Sequence, residues 1–226
     1  MNLKKQAGER AVEFVEDGMI IGMGTGSTVY WTIRRLGELV REGLKIRIVP
    51  TSKQTENLAL EQHIPLVTFA EVRELNLTID GADEINPALD LIKGGGGALL
   101  REKLVAAASK RLIVVADESK LVSALGSFPL PVEVVPFGWE TTMRRIENLE
   151  LSATLRTLEG KVFITDNGNY ILDCRCGKIE NPANLHRELK LLTGVVETGL
   201  FTGMASIAVI AGADGVRIIE KGAENL

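Results

Sequence analysis

MIIGMGTGSTVYWTIRRLGELVREGLKIRIV, residues 19–49, decides how the rest of the chain is read. MIIGMG (19–24) is an apolar run ending in glycine, which predicts a buried strand. A glycine-rich turn follows. Ser27 is placed to cap the helix TVYWTIRRLGELVREG, and Gly43 to end it. KIRIV (45–49) is the next strand. Working outward, residues 3–16 mix apolar and charged positions at helical spacing. Thr51 and Gln54 fit a capping box for a helix to about Gln62. PLVTF and NLTID read as further strands, the second ending at Asp80. Gly97 opens a helix through Ser109, and RLIVVAD (111–117) is an apolar strand ending in acid. Strands and helices in alternation, with near-continuous apolar strands, predict an α/β domain: a Rossmann-like, mostly parallel sheet covered on both faces.

The pattern changes at GSFPLPVEVVP, where prolines cluster and mark a linker. Beyond it the elements shorten: strand 132–135, helix 138–148, strands 151–157, 161–165 and 170–174, helix 182–192, strand 195–199. Asn167-Gly168 is a hairpin signal, and Asn181-Pro182 a helix entry. This order predicts a small α+β module of ferredoxin-like type. ASIAVIAG, an Asp214-Gly215 turn and VRIIEK then make two strands expected to rejoin the first domain. The expected division is residues 1–130 with 200–226 for the sheet domain, and 131–199 for an inserted small domain.

Composition narrows the function. The chain has 226 residues, 45% hydrophobic and 25% charged, an ordinary globular balance. Aromatics make up 4%, too few for a platform that stacks single-stranded nucleic acid. The formal net charge is -4 with no long basic run, which argues against nucleic acid and anionic membrane as partners. The charged N-terminus lacks the apolar core of a signal peptide, and no stretch reaches the apolar length of a membrane span, so a cytoplasmic location is expected. Cys174 and Cys176 form a C-x-C on one face of a predicted strand; with only His63 and His186 as histidines, packing or free thiols is expected rather than zinc.

Ligands of open parallel sheets bind where strands end at their carboxyl edge. GMGTGSTV, DGADE and ADESK all stand at such ends, and KGGGGALLREK follows the second by a few residues. GMGTGSTV is not a dinucleotide fingerprint, because three residues after Gly26 stands Val29 and no acid closes the next strand. No Gly-Lys-Ser/Thr makes it a P-loop either. What is left is a glycine turn opening a helix, with the hydroxyls of Thr25, Ser27 and Thr28, suited to one phosphate. A tight turn with Ser27 as a plain cap is the other reading.

Asp80 and Asp83 stand at a strand end and in its loop, able to bind hydroxyls of a polar substrate or simply to serve the turn. Lys93 directly precedes four glycines whose amides can approach a ligand. Glu102 lies about one and a half turns into the next helix, where a carboxylate also compensates the macrodipole. Lys120 is an ordinary surface lysine unless it faces the same cleft. No Ser-His-Asp arrangement and no metal cluster stands out. A carboxylate base acting on a phosphorylated polyol or sugar fits best.

These motifs resemble the ribose-5-phosphate isomerases of the A type. GTGSTV, TSKQTE, TIDGADEI, KGGGGALLREK, ADESK, FPLPVEV, TDNGN and GLF carry the likeness, in order, across nearly the whole chain. DGADE followed by KGGGGALLREK is the specific pair; GTGST alone is not. GLFTGMASIAVIAGADGV is a modest departure. The resemblance implies interconversion of ribose 5-phosphate and ribulose 5-phosphate without metal or organic cofactor, by a homodimer. It implies Glu102 as the base moving a proton between C2 and C1, and Lys93 stabilising the enediolate oxygen. Asp80 and Asp83 would hold hydroxyls and assist ring opening. Thr25, Gly26, Ser27 and Thr28, the Gly81-Ala82 turn, the amides of Gly94, Gly95 and Gly96, and Lys120 would hold the substrate and its phosphate. Two other classes stay open on sequence alone: a sugar-phosphate sensor on a similar sheet, and an aminosugar-phosphate isomerase-deaminase or acyl-CoA transferase.

Overall fold

A computed structural model of the chain describes residues 2–222. Its elements run α1 (Leu3–Ala11), β1 (Ile20–Met23), α2 (Val29–Arg41), β2 (Arg47–Pro50), α3 (Lys53–Glu61), β3 (Leu77–Asp80), β4 (Glu84–Ile85), β5 (Leu91–Ile92), α4 (Leu99–Ala107) and β6 (Leu112–Asp117). They continue β7 (Leu130–Val134), α5 (Trp139–Glu147), β8 (Ser152–Leu155), β9 (Thr157–Leu158), β10 (Lys161–Val162), β11 (Tyr170–Arg175), α6 (Pro182–Lys190), β12 (Val195–Thr198), β13 (Leu200–Phe201), β14 (Ala205–Gly212) and β15 (Gly215–Glu220).

The described residues form two compact units. The first comprises the chain up to Ala82, Arg101–Lys120, and the chain from Met204 on. Its six-stranded sheet has the order β15-β14-β6-β3-β1-β2. Neighbours are parallel throughout except for the β14-β15 hairpin. The five parallel strands thus follow the doubly wound order in which the first and third strands lie side by side and the winding reverses between them. The mostly parallel Rossmann-like sheet expected from the apolar strands is what the chain forms. Its core is apolar: Ile21, Met23, Ile33, Leu36, Ile48, Ile79, Ile113 and Val209 pack together, with Ala7 and Ala11 of α1 against them.

The second unit comprises Asp83–Leu100 and Leu121–Gly203. Its antiparallel four-stranded sheet has the order β12-β7-β11-β8. With α5 after β7 and α6 before β12, this is the ferredoxin-like arrangement, interrupted by the β9-β10 hairpin. The boundaries differ from the expected 1–130, 131–199 and 200–226. Residues 83–100 and 121–130 pack with the small unit, because β4 and β5 pair with β13 and Ile92 and Leu125 enter the core of Leu130, Val132, Val134 and Leu172.

Local differences have local causes. PLVTF makes only the single bridge Ile48↔Leu66, since Thr68 donates from both its amide and its hydroxyl to Glu71 and turns the chain away. The cap of α3 is Ser52, which accepts from the Thr55 amide, one residue beyond the Thr51 expected. The tight hairpin lies at Glu159-Gly160, both with positive φ, while Asn167-Gly168 makes a turn outside any strand pair.

Candidate functional site

In the first unit the chemistry collects where the winding reverses. β1 and β3 are neighbours, and their carboxyl ends carry the Gly24–Thr28 loop and Asp80. Asp80 is 1% exposed. Its Oδ1 accepts from the Gly81 amide at 2.7 Å and the Thr25 amide at 3.2 Å, so one carboxylate ties the two strand ends together. Gly24 must be glycine: a Cβ there would overlap the Asp80 carboxylate. The Thr25 hydroxyl is turned into a cluster with Thr51, Ser52 and Thr55 at 2.7–3.0 Å, and Thr55 Oγ1 donates to the Gly24 carbonyl. That hydroxyl therefore braces the loop, and what the loop displays is Gly26, Ser27 and the half-buried Thr28.

Ser27 is not the cap of α2. The capping position is Thr28, without a side-chain cap bond. The Ser27 hydroxyl instead accepts from Lys4 Nζ at 2.9 Å. This pairing depends on Gly8, whose missing side chain lets α1 lie against the start of α2; a Cβ there would stand 2.6 Å from the Thr28 carbonyl oxygen. The loop's cation comes from the N-terminal helix, 23 residues upstream, and no local pattern announces it. Glu102 lies in the first turn of α4 and is 5% exposed. Lys120 ends the 3-10 turn after β6 and is half-buried.

In the second unit Asp83 donates its amide to the Ile92 carbonyl, and its Oδ2 accepts from the Gly95 amide at 2.8 Å. The DGADE loop and the glycine run are thereby one device. Lys93 follows β5, is 2% exposed, and donates its amide to Gly199. Its ammonium stands 5.4 Å from the centre of the Phe201 ring, within cation–π range. Glu84, the third acid of the motif, is structural: its carboxylate accepts from the Gly126 and Phe128 amides at 2.7 and 2.6 Å. Gly94 and Gly97 hold positive φ, whereas Gly96 is exposed, with no protein atom within 4 Å of where a Cβ would stand.

Asp, Glu and Lys are almost never this deeply buried by packing alone. Among the described residues Asp80, Lys93 and Glu102 share this burial with Glu84, which is spent on the Gly126 and Phe128 amides, and Glu133, which takes hydrogen bonds from Thr165, Asn167 and Asn169. His186 is bonded to Thr198 at 2.7 Å, and His63 sits at a left-handed turn. Among the described residues no three His, Cys, Asp or Glu side chains cluster as metal ligands, and no helix is long and apolar enough to cross a membrane. Cys174 is buried and Cys176 packs at the same core's edge, both as free thiols, as the C-x-C spacing predicts.

The model of the ribose 5-phosphate isomerase A (phosphoriboisomerase A) family matches residues 47–215. A ribose-5-phosphate isomerase A of Bacillus cereus is 61% identical over 218 residues, covering 96% of this chain and 99% of its own. A solved ribose 5-phosphate isomerase A from Methanocaldococcus jannaschii superposes with a TM-score of 0.92 at 40% identity, over 96% of this chain and 98% of that one. A second solved D-ribose-5-phosphate isomerase, in complex with phospho-erythronic acid, has a TM-score of 0.94 at 39% identity, over 97% and 100%.

Proposed function

The chain belongs to the ribose 5-phosphate isomerase A family, and we propose a division of that reaction among its own residues. It interconverts D-ribose 5-phosphate and D-ribulose 5-phosphate. The sensor, deaminase and transferase readings give way to this membership. Glu102 is the base: it takes the proton from C2 of the open-chain aldose and returns it to C1, while the O2 proton passes to O1. The intermediate is an enediolate. Lys93 faces its negative oxygen, together with amides of the Gly94–Gly96 run; fixed positive groups are worth far more there than in water. Asp80 and Asp83 hold sugar hydroxyls and assist ring opening, in orientations already set by the Gly81, Thr25 and Gly95 amides. Gly26, Ser27 and Thr28 seat the phosphate, with Lys4 and Lys120 as its cations, and the Gly81-Ala82 turn, directly after Asp80 in sequence, helps hold the sugar.

The observation that carries this reading is the burial of Glu102 and Lys93, one carboxylate and one ammonium withdrawn from water within the single motif KGGGGALLREK. A carboxylate of ordinary strength removes a proton next to a carbonyl only where the product oxyanion is stabilised. Isomerisation in D₂O tests it. Solvent deuterium enters at the carbon that receives the proton, with internal return reducing the label. Full activity with no label at all would indicate hydride transfer and remove Glu102 from the role.

The acidic balance supports a small-molecule substrate rather than nucleic acid, and two free thiols suit a reducing cytoplasm. A homodimer completes the reading, checked by light scattering on the purified protein.

A further inference from the structure

A single guanidinium grips the glycine run through its backbone. Arg156 follows β8, and its Nη1 donates to the Gly94 carbonyl at 2.8 Å and to the Gly95 carbonyl at 3.1 Å. Its other edge forks onto Asp173 of β11, with Nε donating to Oδ2 at 2.9 Å and Nη2 donating to Oδ1. The Arg156 side chain is 13% exposed. Phe163 completes the stack: its amide donates to the Arg156 carbonyl, its ring centre lies 5.8 Å from the guanidinium carbon, and the ring fills the space a Cβ on Gly97 would need.

The consequence follows from peptide geometry. In a trans peptide the N–H points opposite to the C=O. Peptide 94–95 is held at both ends, its carbonyl by Arg156 and its N–H by Asp83. Peptide 95–96 is held at its carbonyl, which aims the Gly96 N–H away from the guanidinium, on an exposed residue with open space beside it. Four successive glycines have the widest backbone freedom a chain allows, so without such a grip that N–H has no fixed direction. An Arg fork suits this task because it is planar and already oriented by its carboxylate partner.

We propose that Arg156, oriented by Asp173, is a positioning residue for the isomerisation: it holds peptides 94–96 so that the Gly96 amide meets the substrate. This rests on the reading that amides of the run hold the substrate, and the experiment separates the two. Arg156→Ala, Arg156→Lys and Asp173→Asn are compared for exchange of the Gly95 and Gly96 amides, for kcat and KM separately, and for affinity toward phospho-erythronic acid. Arg156→Ala exchanges these amides at least ~10-fold faster and loses ~10–10² in kcat/KM. Arg156→Lys recovers part of both, since one ammonium still reaches a carbonyl. Asp173→Asn gives a smaller loss in the same direction, and it carries the test if Arg156→Ala fails to fold. Unchanged exchange in a folded Arg156→Ala overturns the grip. Faster exchange with unchanged kinetics and affinity overturns the proposal differently, by showing that the run does not touch the substrate.

Discussion

The two glycine-rich loops of this molecule are immobilised by opposite means. Gly24–Thr28 is held from beneath by side chains of its own unit: Asp80 binds the Thr25 amide, Thr55 binds the Gly24 carbonyl, and Gly24 has no room for a Cβ. Gly94–Gly97 is held through two carbonyls by Arg156 and one amide by Asp83, and at Gly96 the space for a side chain is open. Glycine at Gly24 answers a packing constraint. At Gly96 it leaves backbone uncovered. The first loop presents hydroxyls and a lysine at a helix start, suited to a phosphate. The second presents amides next to a buried lysine, suited to an oxygen on which charge develops.

If that division holds, the largest kinetic effect lies outside both loops. Glu102→Gln keeps the size of the side chain and removes the base; kcat falls by ~10²–10⁴ with a smaller change in KM. Near-normal turnover would take Glu102 out of the chemistry. Lys93→Ala comes next, losing ~10²–10³ mainly in kcat, because its charge matters most as the enediolate forms. An unchanged kcat would reduce the second loop to a binding element and erase its difference from the first.

Paired alanines sharpen the contrast. Gly24→Ala drives a methyl into the Asp80 carboxylate and costs about 1–3 kcal/mol of stability, read as a lower Tm. Gly96→Ala meets nothing in the protein, so stability stays within about 0.5 kcal/mol while kcat/KM falls ~10-fold or more. Equal melting losses in the two variants would show that the loops are not held differently. On the phosphate side, Lys4→Ala raises KM for ribose 5-phosphate about 10-fold with kcat little changed, the pattern of lost uniform binding. A kcat loss of that size would place Lys4 nearer the reacting carbons than the Ser27 contact implies.

What could be read from the chain and what could not divides along a physical line. The parallel sheet was legible because MIIGMG and RLIVVAD are buried on both faces and cannot disguise it. The ferredoxin-like unit was legible from the order of its elements. Residues 83–100 carry no such signal, because two-residue strands such as β4 and β5 are too short to show any period. Asp80, Asp83 and Lys93 draw attention in the sequence by type and by neighbouring glycine, whereas Glu102 alone reads as macrodipole compensation and enters through the family resemblance. Lys4 and Arg156 did not. Lys4 meets Ser27 across 23 residues and Arg156 meets Gly94 across 62, and in sequence each is one surface-type cation among 26 lysines and arginines. Glu133 is hidden in the same way: it reads as the polar face of a strand, yet it is fully buried and accepts from Thr165, Asn167 and Asn169, anchoring TDNGN.

The smallest effect belongs to the C-x-C of Cys174 and Cys176, which packs in the core of the small unit. Burial pushes the Cys176 thiol up to about 11 from 9.0, and burial with Cys176 beside it pushes Cys174 higher still. At pH 8 the thiolate fraction of Cys176 is therefore about a hundredfold below that of a free cysteine, and a disulfide reagent titrates the native protein correspondingly slowly, with Cys174 last. The sign for stability follows from proton uptake. The folded chain holds this proton more tightly than the unfolded chain, so the contribution is complete below pH 9 and is lost as pH climbs from there toward 11. Cys176→Ser removes the titrating group, so its unfolding free energy falls less steeply across that window than wild type, with activity at neutral pH unchanged. Rapid modification of the native thiols at pH 8 that also stopped turnover would bring the C-x-C into the chemistry of the site, and would make the small unit more than a holder of glycine backbone.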